Sequence, residues 1–401
     1  MEEWKEYKLG EVVIPVKDRI ETSCLDSASY ISTENMLPDK AGVTLSSGVP
    51  PGNAVMFKND DILISNIRPY FKKIWRANRD GGCSTDVICL RASNAVDPLF
   101  LYYLLSQDLF FDYVMQGAKG TKMPRGDRNQ IMQWPVLIPS KNEQHIIASI
   151  LSALDDKIEV NRRINNNLEQ QAQALFKSWF VDFEPFRDQP FVESELGMIP
   201  EGWRVGTLNE LGDIVGGSTP SKAKPEYYTN NGIAWLTPKD LSISQRKFTS
   251  KGEIDITQEG YDSCSTKLMP RGTVLFSSRA PIGYITIAKN NICTNQGFKS
   301  VIPTFAGTAF LYCFLKESTQ EIENKATGST FKEASGALMK SLTAIIPEKE
   351  VLDDFEIMLR PLFNQQEVVE EENFRLASLR DTLLPRLMSG ELRVNEIENA
   401  I

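Results

Sequence analysis

The feature that most constrains this chain is an internal repetition. The run FLYYLL at 100–105 returns as FLYCFL at 310–315, and six further echoes keep the same order. YKLGEVVI (7–14) answers to GTLNELGDIV (206–215), matched through Leu9-Gly10-Glu11 and Leu211-Gly212-Asp213. YISTENM (30–36) answers to WLTPKDL (235–241). DDILISNIRP (60–69) answers to RGTVLFSSRAP (271–281), which pairs Arg68 with Arg279. GCSTDVICL (82–90) answers to ICTNQGFKSV (292–301), which pairs Cys83 with Cys293. GAKGTKM (117–123) and VLIP (136–139) answer to ATGSTFK (326–332) and AIIP (344–347). The offsets drift by a few residues, as loop insertions make them, and the order never breaks. An ordered series of this kind marks a duplication, so the chain must fold as two similar units. The plainer alternative is two copies of a common element such as a strand pair.

Each copy is strand-rich and mixed. ILIS (62–65), VICL (87–90), VLFSS (274–278) and YITIA (284–288) are short β-type runs. The segments from Asp97 and from Thr308 have helical spacing, with those two residues as caps. VLIP and AIIP close each copy as a last strand stopped by proline.

Between and after these parts lie two acidic segments. Residues 144–182 contain neither proline nor glycine. Their apolar or small residues alternate at spacings of four and three: Ile147, Leu151, Leu154, Ile158, Asn161, Asn165, Leu168, Ala172, Leu175, Trp179. That is a heptad seam, and a helix of this length spans roughly 55 Å. The second seam runs Phe355, Leu359, Leu362, Gln366, Val369, Asn373, Leu376, Arg380, Leu383, Leu387, and Asn165 falls on Asn373. A long helix with one apolar stripe needs a partner, and the sequence offers its own copy. The polar residues of the seam either fix register or mark a solvated stretch where the helices part. Pro361 predicts a kink or restart in the second helix, and Pro385 with Gly390 predicts its end. The first helix ends among Phe176, Trp179, Phe180, Phe183 and Phe186. These side chains form either an anchor in a neighbouring domain or a docking surface for a partner protein.

Charge follows the same division. The chain carries −9 overall, with segment nets of 0 (1–142), −5 (143–195), +3 (196–347) and −7 (348–401). The acid sits on the helical segments, which leaves the other two neutral to mildly basic and able to meet phosphate locally. No apolar run approaches the ~20 residues of a membrane span. The start MEEWKEYKLG has no signal-like pattern. The six cysteines form no CxxC pair and read as reduced thiols of a cytoplasmic protein.

Signs of catalysis are missing from the sequence. His145 is the single histidine, which argues against a zinc site or a Cys/His dyad. GGSTPSKAK lacks Walker A spacing, no GxGxxG occurs, and there is no Asn/Asp-Pro-Pro-aromatic signature of amino-methyltransferases. The sequence reads as a binder, not an enzyme. Two globular heads on helical spacers make a two-headed reader. Duplex DNA offers equivalent grooves one turn apart, ~34–36 Å, and heads with different loops would read an asymmetric bipartite target.

The segment VLIPSKNEQHIIASILSALDDKIEVNRRINNNLEQQAQALFKSWFVDFEPF and the tail LRDTLLPRLMSGEL resemble the conserved regions of specificity (S) subunits of type I restriction–modification systems. GGSTPSKAKPEYYTNNGIAWLTPKDL (216–241) looks like the start of a target-recognition domain of that family; the first copy departs from it, with IPVKDRIETS in place of the Gly-Gly-Ser-Thr-Pro loop. The resemblance implies an α+β chain. Two similar mixed α/β target-recognition domains (1–142 and 196–347) are separated by two long antiparallel coiled-coil-like helical spacers (143–195 and 348–401), related by an internal pseudo-twofold repeat. It implies a non-catalytic subunit that binds double-stranded DNA and recruits two methyltransferase (M) subunits and restriction (R) subunits. S-adenosylmethionine, ATP and Mg then belong to those partners, and this chain holds no cofactor. The competing class is a protein–protein scaffold organised by the acidic helices.

Loops rich in basic, amide and small residues are the candidate DNA contacts, since phosphate contacts position and base-edge contacts specify. In the first copy these are Arg68, Lys72, Lys73, Lys119, Lys122, Arg125 and Arg128, with Arg76 beside them. In the second they are Lys222, Lys224, Lys239, Arg279, Thr330 and Lys332. Phe176, Trp179, Phe180 and Phe183 are the candidate partner contacts. For any single basic residue the plainer alternative is a solvated surface charge.

Overall fold

The short β-type runs of the sequence become sheet centres. The computed structural model describes residues 4–244, 246–279, 281–328 and 332–393. It divides into two units, the first made of Met1–Ile158 with Arg375–Ile401 and the second of Glu159–Phe374.

In unit 1 the strand Ile62–Ser65 is buried along its whole length. It pairs antiparallel with Val87–Ala92 on one side and Ile74–Arg76 on the other, and Val13–Pro15 completes the sheet. Both faces are covered, so Ile62, Leu63 and Ile64 are apolar in succession rather than alternating. Ile62, Ile64, Ile88 and Leu90 face a cluster built on the helices Pro98–Leu105 and Asp108–Gln116. Leu63, Val87 and Cys89 face a second sheet through Phe57, Ile31 and Cys83. Asp97 caps the first helix, its carboxylate accepting from Leu99 N at 2.9 Å and Phe100 N at 3.0 Å.

Unit 2 repeats this layering. The fully buried Val274–Ser278 is central to a five-stranded sheet. Val274 and Phe276 face the helix Thr308–Glu317 through Phe310 and Leu311, and Leu275 faces Leu236 and Phe298 on the other side. Thr308 is not the cap. It is the first helical residue, and its hydroxyl donates to Gly272 O at 2.8 Å. The free N–H of Ala309 is satisfied instead by the Glu356 carboxylate at 2.9 Å.

The hydrogen-bond ladders correct the register of the duplication. Lys5–Lys8 pairs with Pro135–Ile138 as Arg204–Thr207 pairs with Thr343–Ile346. The following turns are both closed by a glutamate reaching back, Glu11 to Lys8 N at 2.6 Å and Glu210 to Thr207 N at 2.9 Å. Leu9 therefore corresponds to Leu208, not Leu211; a leucine at each end of the second turn conceals this. The parallel pairs Tyr30–Ile31 with Gly81–Cys83 and Trp235–Leu236 with Cys293–Thr294 are also equivalent. Ser84 N donates to Ile31 O and Asn295 N to Leu236 O, both at 2.9 Å. This places Cys83 opposite Thr294 rather than Cys293.

The long helices are α1 (Lys141–Phe180) and α2 (Lys349–Met388). In unit 1, Ile147 and Leu151 of α1 share a core with Leu384, Leu387 and Met388 of α2, and Arg380 donates to Asp155 at 2.6 Å. In unit 2 the partners run in opposite directions. Asn161 meets Glu372, Asn165 meets Gln366, and Phe176 meets Phe355. The polar seam is not a solvated stretch there: Asn161 and Gln366 are buried. Pro361 does not restart α2 and Pro385 does not end it, since helix continues through both. Pro361 and Ile357, whose carbonyl loses its helical donor, are both exposed, as are Pro385 and Asp381, so the lost bonds fall on faces open to solvent. Gly390, with φ 72°, follows the end of the helix.

One buried cation fixes unit 2 onto its two helical segments. Lys247, 7 % exposed, donates to Glu169 of α1 at 2.8 Å and to Gln366 of α2 at 2.7 Å. Its ammonium lies 3.4 Å from the centre of the Phe363 ring. Glu169 also accepts from Lys316 and from the Tyr312 hydroxyl. Burial pushes the Glu169 carboxyl up, but the Lys247 and Lys316 ammonium groups overcome it and hold it down at about 2.

Candidate nucleic-acid interface

In unit 1, three loops meet at the end of the central strand. Asn66 N donates to Asp86 O at 2.9 Å, Gly126 N to Asn66 O at 3.2 Å, and Arg68 N to Pro124 O at 2.8 Å. Lys119 and Arg125 exchange both backbone hydrogen bonds at 2.9 Å, making a small ladder that also bridges to Ile67. The result is a notch with Arg68, Arg125, Arg128 and Lys119 around its rim. Arg125 approaches Asp86 at 3.3 Å, Arg128 donates to Thr85 O at 2.6 Å, and Lys119 pairs with Asp127 at 2.9 Å. Lys122 is exposed on the same loop.

Arg68 carries two signs of strain. Its φ of 50° is left-handed, which a non-glycine residue adopts at a cost. Its Nε is buried with no hydrogen-bond partner among the described residues. A buried Nε is closed to DNA, so a phosphate or base acceptor would be met by the terminal nitrogens of the Arg68 guanidinium. The neighbouring cations are held by the chain itself. Lys72 pairs with Asp108 at 3.0 Å, and Lys73 donates to Thr33 O at 2.7 Å, with burial pushing its ammonium down. Arg76 pairs with Asp60 at 3.4 Å from its own strand.

Unit 2 shows the same notch and a deeper hollow beside it. Ser278 N donates to Gly297 O at 2.8 Å and Ala334 N to Ser278 O at 2.9 Å. Thr327 and Glu333 form the small ladder, which bridges to Arg279. Position by position, Arg279 therefore stands where unit 1 has Ile67, one residue away from the pairing with Arg68 that the sequence suggested. A cavity of about 710 Å³ opens here. Lys222, Lys239 and Arg279 line it together with Thr219, Asn295 and Gln296. Lys239 pairs with Glu253 at 2.8 Å, Arg279 approaches Glu333 at 3.7 Å, and the Thr219 hydroxyl donates to Gln296 Oε1.

Two predicted residues of this unit turn to partners within the chain. Lys224 turns to Tyr227, donating to its hydroxyl at 2.9 Å, and Lys332 donates to Glu323 O at 3.3 Å. Thr330 lies outside the described residues. The sequence reading missed the amides Asn295 and Gln296 and the acids Asp86 and Glu333. The run TNQGF carried the signal, two amides before a glycine at a strand end, but the Cys83–Cys293 alignment hid that Gln296 answers to Thr85.

The aromatic group at the end of α1 packs within unit 2. Phe180 lies edge-on to Phe310 and Phe355, both at 4.8 Å between centroids, and Phe176 meets Phe310 at 5.5 Å. Both are buried, with Trp179 and Phe183 partly buried at the margin. These side chains anchor the helix in its own core. His145 is exposed on α1. Among the described residues no helix is long and apolar enough to cross a membrane.

The profile of the family described as "Type I restriction modification DNA specificity domain" matches residues 1–170 and again 200–370. The HindI type I restriction enzyme specificity subunit of Haemophilus influenzae is 28 % identical over 98 % of this chain and all of its own length. The MjaIX specificity subunit of Methanocaldococcus jannaschii is 37 % identical over 45 % of this chain and 44 % of its own. Among solved structures, the S subunit of a type I restriction–modification system from M. genitalium matches with a TM-score of 0.56. It is 18 % identical, and 96 % of each chain is covered, which speaks for the fold.

Proposed function

This chain belongs to the type I restriction–modification DNA specificity family, and we propose that it reads an asymmetric bipartite site on duplex DNA, one half with each unit. The observation that carries the reading is the pair of equivalent notches. The same three-loop framework appears twice, with different side chains presented at matching positions. A duplicated framework with diverged rims suits two different half-sites. A protein–protein scaffold is not favoured, because the family match covers both globular parts as DNA specificity domains.

In this reading the recognition domains are 1–142 and 196–347, and the helical segments 143–195 and 348–401 set the spacing of the half-sites. The chain is non-catalytic and cytoplasmic. It recruits methyltransferase and restriction subunits, which bring S-adenosylmethionine, ATP and magnesium. Phe176 and Phe180 are consumed in the core, so partner docking falls to Trp179 and Phe183 and to the outward faces of the helices. Val160, Ile164, Ile357 and Val368 are exposed there. Lys222 and Lys239 serve phosphates, and Arg68 a phosphate or base edge.

The test is expression of the chain with a methyltransferase subunit encoded beside it, followed by mapping of methylated bases on a random-sequence plasmid library. A single motif of two short defined parts around an undefined gap is the expected result. Methylation without sequence preference, or assembly with no DNA binding, would remove the reading.

A further inference from the structure

The two notches differ in one systematic way. The ladder position of unit 1 is Arg125, and the equivalent position of unit 2 is Glu333. Each is answered by a residue of opposite charge from a neighbouring corner, Asp86 in unit 1 and Arg279 in unit 2. Charge at the shared ladder position is therefore reversed, while an arginine–carboxylate pair is kept in both.

The pairs are loose. The nearest approach of guanidinium nitrogen to carboxylate oxygen is 3.3 Å in unit 1 and 3.7 Å in unit 2. Bidentate pairing would occupy both arms of the fork at 2.7–2.9 Å, as Arg91 does with Asp61 at 2.7 Å on both arms. Among the described residues, Arg125 and Arg279 thus have forks that their carboxylates do not saturate. Their side chains are 56 % and 35 % exposed. Gly297, the counterpart of Asp86, has no room for a side chain, since an added Cβ would come within 2.8 Å of Pro238. Unit 2 therefore places its acid on the ladder instead.

We infer that each notch reads one G·C pair, with Arg125 and Arg279 as the specificity-determining residues, and that the two units take the pair in opposite orientations relative to their own frameworks. Arginine matches the O6 and N7 acceptors of guanine, and a carboxylate accepts from N4 of cytosine. An arginine and a carboxylate held side by side thus answer the two bases of one pair. Reversing the charge at the ladder position exchanges which strand carries the guanine. The inference rests on the proposed DNA-reading function.

The test uses the full chain assembled with its methyltransferase partner, with methylation motifs mapped for three variants. Arg125→Ala should relax one G·C position in one half of the motif, and Arg279→Ala one G·C position in the other half. Each should lose roughly ten- to a hundredfold discrimination at that position alone. The triple variant Ile67→Arg, Asp86→Gly, Arg125→Glu gives unit 1 the second unit's placement of the arginine and the acid and should favour C·G over G·C at the same position. A uniform loss across all sequences with a shallower salt dependence would make the arginines phosphate contacts and overturn the inference. So would an unchanged motif, or relaxation at an A·T pair. If the triple variant does not fold, the alanine variants decide alone. If the unaltered complex shows no sequence preference, the DNA-reading function falls first, and the two failures are told apart.

Discussion

Glu169→Gln removes one charge from the buried cluster around Lys247 while keeping its shape. In the folded chain the Glu169 carboxyl is held at about 2 against an ordinary 4.5. The sign follows from linkage: a depressed carboxyl contributes stability above its unfolded value, lost as pH falls through the folded one. Two and a half pH units correspond to roughly 3 kcal/mol at neutral pH, at about 1.4 kcal/mol per unit. By pH 3 the contribution falls to roughly 1.5 kcal/mol. Glu370, which accepts from Lys247 N at 2.9 Å, is pushed up by burial and carries the opposite dependence. The difference between wild type and variant, not the absolute stability, therefore isolates Glu169. Denaturant unfolding at pH 7, 5, 4 and 3, with hydrogen exchange on peptides of unit 2, gives that difference. It should be about 3 kcal/mol at pH 7 and about half as much at pH 3. A cost under ~1 kcal/mol at pH 7, or a cost that does not change with pH, would show that the cluster is not the electrostatic joint described here.

Phe310→Ala empties a site between Phe176, Phe180 and Phe314 and should cost ~3–5 kcal/mol in unit 2, read as a lower denaturant midpoint with an unchanged slope. Lys222→Ala and Lys239→Ala should each weaken DNA binding equally on cognate and altered sites and reduce the salt slope by about one. Arg68→Ala should weaken binding with little loss of folding stability, because among the described residues its Nε has no partner to lose. Glu210→Ala, which opens the capping turn at Thr207, should lower the thermal midpoint slightly without altering any methylation motif.

The duplication, the sheet runs and both long helices were legible because each is written in a periodic or repeated pattern. Ile62–Ser65 and Val274–Ser278 announce themselves as apolar runs, and the seam residues Ile147, Leu151, Phe355 and Leu359 are all buried. Proline was the weaker guide, since Pro361 and Pro385 interrupt hydrogen bonds only on faces that water reaches. Local register was not legible at turns. Leu208 and Leu211 both look like the partner of Leu9, and Cys293 like that of Cys83, until backbone pairing decides. The site was half visible for the same reason. Basic residues could be named from composition, but Lys72, Lys73, Lys224 and Lys332 turn to partners that only the folded chain supplies. Asp86 and Glu333 gain meaning only from the arginines opposite them.

Unit 2 is a single uninterrupted stretch, Glu159–Phe374, whereas unit 1 needs Arg375 onward to finish its core with Leu384, Leu387 and Met388. On the ribosome, the half of the molecule that emerges first is consequently the half that closes last. Its core gains Leu384, Leu387 and Met388 only after the whole of its sibling has been made.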